Sequence, residues 1–168
     1  MIETKEIETQ TLNDNSSAPN LLKSIKGEYV TTHIDNFTFN HPSLASKTVV
    51  LYFYPKDNTP GCTTQAIDFR DMYKIFTEKN VVIIGISRDN LKSHQNFTQK
   101  FALPFNLLSD TEEILCRQFE VIKEKKMYGK IARGVQRSTF VYNTHGELIY
   151  NWRNVKAINH AEKLLEIL

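Results

Sequence analysis

From residue 48 onward the apolar positions switch between two spacings, and the chain reads as strands and helices in turn. Thr48 to Tyr54 is a continuous β-branched and aromatic run, the look of a strand covered on both faces. Ala66, Phe69, Met72, Tyr73 and Phe76 recur at three- and four-residue spacing, which predicts one helix from Cys62 to about Glu78. Val81 to Ile86 reads as a second buried strand. Asn90 to Phe101 reads as a polar helix with Leu91, Phe97 and Phe101 turned inward. Asn106 to Leu108 makes a short strand. Ser109-Asp110-Thr111 then offers a helix N-cap, with Glu112 and Glu113 in the first turn and a helix running to about Phe119. Arg137 to Tyr142 and Glu147 to Trp152 read as strands joined by a hairpin turn at Asn143-Thr144-His145-Gly146. Ala157 to Leu168 closes the chain as an amphipathic helix.

The order is βαβα(β)αββα. Two parallel crossovers followed by an antiparallel hairpin and a last helix predict a thioredoxin-like α/β fold, a central mixed sheet flanked by helices. Residues 21–47 hold short apolar pieces broken by Gly27 and Asn40-His41-Pro42, which fit a short hairpin or irregular strands. Residues 1–20 are polar and read as a flexible tail, so the expected organisation is that tail and one domain over 21–168. Lys123-Glu124-Lys125-Lys126, leading into Met127-Tyr128-Gly129-Lys130, reads as a solvated basic loop.

Composition narrows the classes. A chain of 168 residues with 40% hydrophobic and 24% charged content suits one soluble domain with a real core. A net charge of +2 is too small to argue for nucleic acid or an anionic membrane. No window approaches the roughly 18 apolar residues of a membrane span. The first twenty residues lack the basic and apolar parts of a secretory signal, so a cytoplasmic protein with mostly reduced thiols is expected. Two cysteines, Cys62 and Cys116, make neither a disulfide scaffold nor a C-x-x-C motif, which weakens a general disulfide oxidoreductase. The five histidines carry no ligand spacing, so no metal site is expected. No phosphate-binding glycine motif is present.

The junction Phe53-Tyr54-Pro55-Lys56-Asp57-Asn58-Thr59-Pro60-Gly61-Cys62 holds the candidate chemistry. It puts a cysteine at the start of a helix, where free N–H groups and the macrodipole favour a thiolate. A buried structural cysteine is the competing reading. For Thr59 it is a helix cap, and for Arg137 a solvated residue at a strand edge.

The stretch FYPKDNTPGCTTQA resembles the active-site segment of peroxiredoxins, in particular the bacterioferritin comigratory protein, or PrxQ, subfamily. The shared pattern is Pro55, three residues, Thr59, two residues, Cys62. Gly85-Ile86-Ser87-Arg88-Asp89, Leu108-Ser109-Asp110 and Arg137-Ser138-Thr139-Phe140 resemble the same subfamily in the same order, and the likeness covers roughly residues 45–168. The resemblance implies a peroxidase for hydrogen peroxide and organic hydroperoxides, without metal, haem or flavin. Cys62 would attack the O–O bond and become a sulfenic acid. Thr59 would hold the peroxide oxygens, Pro55 shield the site, and Arg137 stabilise the charge, with the N–H groups of Gly61 and Cys62 as further donors.

The departures from the subfamily bear on the second half of the cycle. The usual resolving positions hold Ile67 and, on the following helix, Thr98. Cys116, beside Ile114, Leu115 and Phe119, reads as a small hydrophobe on a helix, with resolution of Cys62 as its alternative. A one-cysteine cycle is the simpler expectation, with thioredoxin, glutaredoxin or glutathione as external reductant and a monomer as the working form. The other function class left open is a redox sensor or relay that oxidises a client protein.

Overall fold

The β-branched and aromatic run beginning at Thr48 lies at the centre of the computed structural model, which describes residues 46–168 together with Leu44 and two short strands before it. Those strands, β1 (Glu28–Tyr29) and β2 (Phe37–Thr38), pair antiparallel, in keeping with a short hairpin within 21–47. The rest of that stretch and the tail expected over 1–20 lie outside the described residues. β3 (Thr48–Phe53), β4 (Val81–Ser87) and β5 (Asn106–Ser109) run parallel. β6 (Ile122–Met127) and β7 (Lys130–Val135) form a separate antiparallel ribbon. β8 (Ser138–Tyr142) and β9 (Leu148–Trp152) return antiparallel beside β3, giving a mixed sheet of order β5-β4-β3-β8-β9. The helices are α1 (Pro60–Asp71), α2 (Tyr73–Glu78), α3 (Leu91–Phe101), α4 (Ile114–Gln118) and α5 (His160–Ile167). The architecture is the expected thioredoxin-like one.

Side chains of a strand alternate between faces, and β3 uses both. Val49, Leu51 and Phe53 join one core with Leu115, Cys116, Phe119 and Phe140. Val50, Tyr52 and Tyr54 join a second core with Cys62, Ala66, Phe69, Phe76 and Phe97. A continuous hydrophobic run is therefore what this central strand requires. Beside it, a Cβ at Gly85 would come 2.8 Å from Leu107 Cδ2 and 2.9 Å from the Tyr52 ring, so only glycine lets that ring lie flat on β4.

Three readings need correction. The helix expected from Cys62 to Glu78 breaks at Met72 into α1 and α2, and both Phe69 and Phe76 are buried on either side of the break. No glycine or proline marks the spot. The helix expected from an N-cap at 109–111 begins only at Ile114; Glu113, read as a first-turn acid, is its N-cap residue at φ 61°. Asp110 still caps from a distance, accepting the N–H groups of Leu115 (3.1 Å) and Cys116 (2.7 Å).

The basic loop at 123–126 is strand β6. Tyr128 (φ 53°) and Gly129 (φ 75°) are both left-handed, the requirement of a two-residue hairpin turn that follows the strand twist. The ribbon stands mostly in solvent, so its exposed positions show no apolar alternation. Only Ile122 and Val135 at its base reach the core.

Candidate active site

The register of the sheet assembles the site. β3 pairs with β8 through Phe53 and Ser138, so Arg137, one residue before β8, stands beside the chain leaving β3 at Tyr54. That chain crosses a five-residue loop and enters α1 with Thr59 as N-cap residue and Pro60 at the first helical position, where a missing N–H costs nothing. Thr63 N–H makes a helical bond to Thr59 C=O (2.8 Å). The N–H groups of Gly61 and Cys62 lie before it, in the turn for which a helix supplies no acceptor.

Cys62 is 2% exposed, and both Nη atoms of Arg137 lie 3.6 Å from its Sγ. Arg137 Nη1 also donates to Gln65 Oε1 (2.7 Å), one turn along α1, which fixes the plane of the guanidinium. A Cβ at position 61 would come 3.1 Å from Arg137 Nη2, so Gly61 lets the cation lie over the helix start. Pro55 is exposed and shares with Arg137 a cleft of about 360 Å³. The Thr59 hydroxyl donates to Lys56 C=O (2.8 Å), which leaves its lone pairs as acceptors.

Cys62, Gly61 and Arg137 are thus in contact, while Thr59 and Pro55 flank them on the same loop. Cys116 is apart. It belongs to the core on the other face of β3, fully buried, and burial together with the Asp110 carboxylate pushes its thiol far above the usual range.

Sequence reasoning missed three contributors. Gln65 and Tyr52 both place a buried polar atom near Cys62, the Gln65 Nε2 and the Tyr52 hydroxyl, with no partner among the described residues. Burial, then the Cys62 and Asp57 charges, raises the Tyr52 phenol well above its usual value, so it remains a neutral donor. His94 reads in the sequence as one of five scattered histidines, but it is fully buried at the base of the loop. Its Nδ1 lies 2.6 Å from Asp57 Oδ2 and its Nε2 3.1 Å from the Leu108 carbonyl. The hydroxyls of Tyr54 (2.6 Å) and Ser93 (2.8 Å) donate to the same Asp57 carboxylate. Asp57 N–H in turn donates to Asp89 Oδ2 (2.9 Å), which also takes the Ser87 hydroxyl (2.6 Å). Asp57, Asp89 and His94 bring ligand atoms within 4.8 Å of one another, and these hydrogen bonds already occupy them. The network pins the 54–59 loop to β4 and α3.

A thiol under a guanidinium at a helix start, in a nearly closed pocket with neutral donors around it, suits attack on a polarisable neutral molecule. Known proteins identify the family. The AhpC/TSA family pattern matches residues 6–151. The chain belongs to this family, among the peroxiredoxins of the Bcp, or PrxQ, kind. It is 49% identical over 120 residues to peroxiredoxin Bcp of Xanthomonas campestris, spanning 71% of this chain and 75% of that one. It is 50% identical over 122 residues to peroxiredoxin Bcp of Bacillus subtilis, spanning 73% and 78%. It superposes with a TM-score of 0.79 and 40% identity on the X. campestris bacterioferritin comigratory protein, covering 89% of this chain and 92% of that one. That protein's alkyl peroxide reduction has been followed in trapped intermediate and ligand complexes. As a peroxiredoxin, this chain is a peroxidase, as the sequence resemblance implied. Among the described residues no helix is long and apolar enough to cross a membrane.

One electrostatic cluster near the peroxidase site is open to test on its own. Glu113 accepts from Arg133 Nη2 (2.7 Å), Arg88 Nη1 (3.1 Å) and Arg117 Nη2 (3.3 Å), tying the ribbon to α4 and to the end of β4. Arg133 chiefly holds its carboxyl down, from 4.5 to about 2. Because the folded value is depressed, the stability it contributes is complete above the unfolded value near 4.5 and is lost as pH falls through 2. Urea unfolding of the native protein and Glu113→Gln across this range should show a difference that shrinks below pH 4.5 and is gone below about pH 2. A gap that stays constant with pH would assign the stabilisation to packing instead.

Proposed function

We propose that this peroxiredoxin reduces hydrogen peroxide and organic hydroperoxides by a one-cysteine cycle, with Cys62 as the only redox-active thiol and an external thiol as reductant. The observation that carries it is the separation of the two sulfurs into cores on opposite faces of β3. A disulfide needs Cα atoms closer than about 7 Å, and the central strand stands between them. Ile67 and Thr98 at the usual resolving positions, and the raised thiol of Cys116, support the same reading.

In this reading the Cys62 thiolate attacks the hydroxyl oxygen of ROOH, and the S–O bond forms as the O–O bond breaks. Cys62 becomes the sulfenic acid, and the other oxygen leaves as RO⁻, which takes up the proton the thiol had released and becomes ROH. The Arg137 guanidinium faces both the sulfur and the charge that develops on the leaving oxygen. Thr59 accepts the peroxide hydrogen on a lone pair and so orients the molecule. The N–H groups of Gly61 and Cys62 and the amide of Gln65 are donors for its oxygens. Pro55, which has no N–H to hold water, edges the entrance. The alkyl peroxide activity of the X. campestris relative supports organic hydroperoxides as substrates.

Steady-state consumption of peroxide with thioredoxin, glutaredoxin or glutathione tests the proposal. Native protein should turn over many times, and Cys116→Ser should keep turnover within about twofold. Loss of turnover in that variant, with sulfenate formation intact, would make Cys116 the resolving thiol. Stoichiometric oxidation of Cys62 without turnover would favour the sensor or relay instead.

A further inference from the structure

We propose that the cationic cleft beside Arg137 binds the carboxylates of the small thiol that reduces oxidised Cys62, a thiol of the glutathione kind. The proposal rests on the external-thiol cycle above and adds the site at which that thiol docks.

The cleft of about 360 Å³ lies within the size range of small-molecule sites, roughly 300–1,000 Å³. One wall carries Pro55 and Arg137, and Arg137 is in contact with Cys62 Sγ. The ribbon also lines the cleft, and there Lys123 pairs with Gly134 and Lys125 with Ala132, so these four share one face of the ribbon. Among the described residues no acidic side chain lines the cleft.

Its charges are not equivalent. Arg88 and Arg133 are answered by Glu113. Lys123 and Lys125 have no ion pair among the described residues, and they stand two positions apart on one strand, roughly 7 Å. Two unanswered ammonium groups, in the same cleft as the cation that touches the reactive sulfur, suit a ligand with carboxylates at one end and a reacting group at the other. Ala132 and Gly134, which pair with the two lysines, are small and leave room beside them. A Cβ built at Gly134 meets nothing within 4 Å, so the space above it is open.

The chemistry balances without another reactant. The bound thiol attacks Cys62–SOH, forming Cys62–S–S–R and releasing water. A second thiol attacks the outer sulfur of this mixed disulfide, giving RSSR and returning Cys62 as a thiol after one proton transfer. The sulfenate sulfur gains two electrons, and two thiols lose one each.

The test measures reduction of preformed Cys62 sulfenate by glutathione and by uncharged 2-mercaptoethanol. Exchanging both lysines (Lys123→Gln with Lys125→Gln) should slow the glutathione reaction roughly 5- to 10-fold at low salt, and the 2-mercaptoethanol reaction by less than twofold. Gly134→Leu, which fills the cleft and removes no charge, should also slow glutathione selectively. Equal effects on both thiols, or none, would overturn the proposal. So would a variant defect confined to oxidation by a carboxylate-bearing hydroperoxide, which would make the cleft a substrate subsite. Unreactive S-methylglutathione, titrated by NMR, separates the two layers. Its binding to native protein and loss in the lysine variant support the cleft, even if no small thiol sustains turnover and the external-thiol cycle fails. No binding to the native protein would overturn the cleft alone.

Discussion

Replacing Arg137 with glutamine is expected to slow oxidation of Cys62 by hydrogen peroxide roughly 10²- to 10³-fold, the scale of losing one preorganised donor at a developing anion. That corresponds to about 2.7–4 kcal/mol of transition-state stabilisation. The reason is specific to the geometry. Both Nη atoms lie 3.6 Å from Sγ, and no other arginine or lysine is bonded to that sulfur among the described residues. Glutamine keeps a polar group but loses the charge and the two-pronged reach. Arg137→Lys keeps the charge as a point and loses the fork that holds Gln65 Oε1 and Sγ together, so it should recover only part of the rate. Stopped-flow oxidation under single-turnover conditions reads the step directly. A glutamine variant within threefold of native would remove Arg137 from the chemistry.

Cys62→Ser is expected to abolish catalysed peroxide consumption, leaving the uncatalysed background. A serine hydroxyl fills nearly the same volume at a residue that is 2% exposed, so the fold should survive. It cannot supply the soft anionic nucleophile that O–O cleavage needs, and it has no sulfenic state to carry the oxygen. Native-like unfolding of the variant, measured alongside its activity, assigns the loss to chemistry. Residual turnover with Cys62→Ser would mean that Cys116 reacts with peroxide, against its burial and its raised thiol.

The parts of this architecture that were legible in the sequence are those in which one local pattern decides the outcome. Thr48–Phe53 is buried on both faces and reads so; Thr59-Pro60-Gly61 ends a loop and starts a helix because Pro and Gly fit only certain positions there. The pairing of Arg137 with Cys62 was legible only through a family likeness. It depends on the register that sets Ser138 against Phe53, and nothing near either residue records a partner 75 positions away. The ribbon was illegible for another reason. Strand pairing there is held by backbone bonds and one turn, while its side chains are charged on both faces.

His94 shows the same limit from the buried side. A histidine between Ser93 and Gln95 on a polar helix looks solvated, and the partners that receive it in the interior, Asp57 and the Leu108 carbonyl, lie 37 positions before it and 14 after it. Likewise the 154–159 segment makes no regular structure where helix was expected from Ala157, since α5 starts at His160. In that segment Val155 N–H donates to Arg137 C=O (2.8 Å), so this irregular stretch supports the backbone of the residue that reaches the thiol.

The central claim is that Cys62 alone carries the oxidising equivalent. Intact and peptide mass spectrometry after one equivalent of hydrogen peroxide, with a sulfenate trap, measures this in a single sample. The expected result is one trapped oxygen on Cys62, unmodified Cys116, and Cys62 passing to sulfinate when more peroxide is added. A Cys62–Cys116 disulfide formed at one equivalent in folded protein would contradict it, because the two sulfurs would then have met across the central strand.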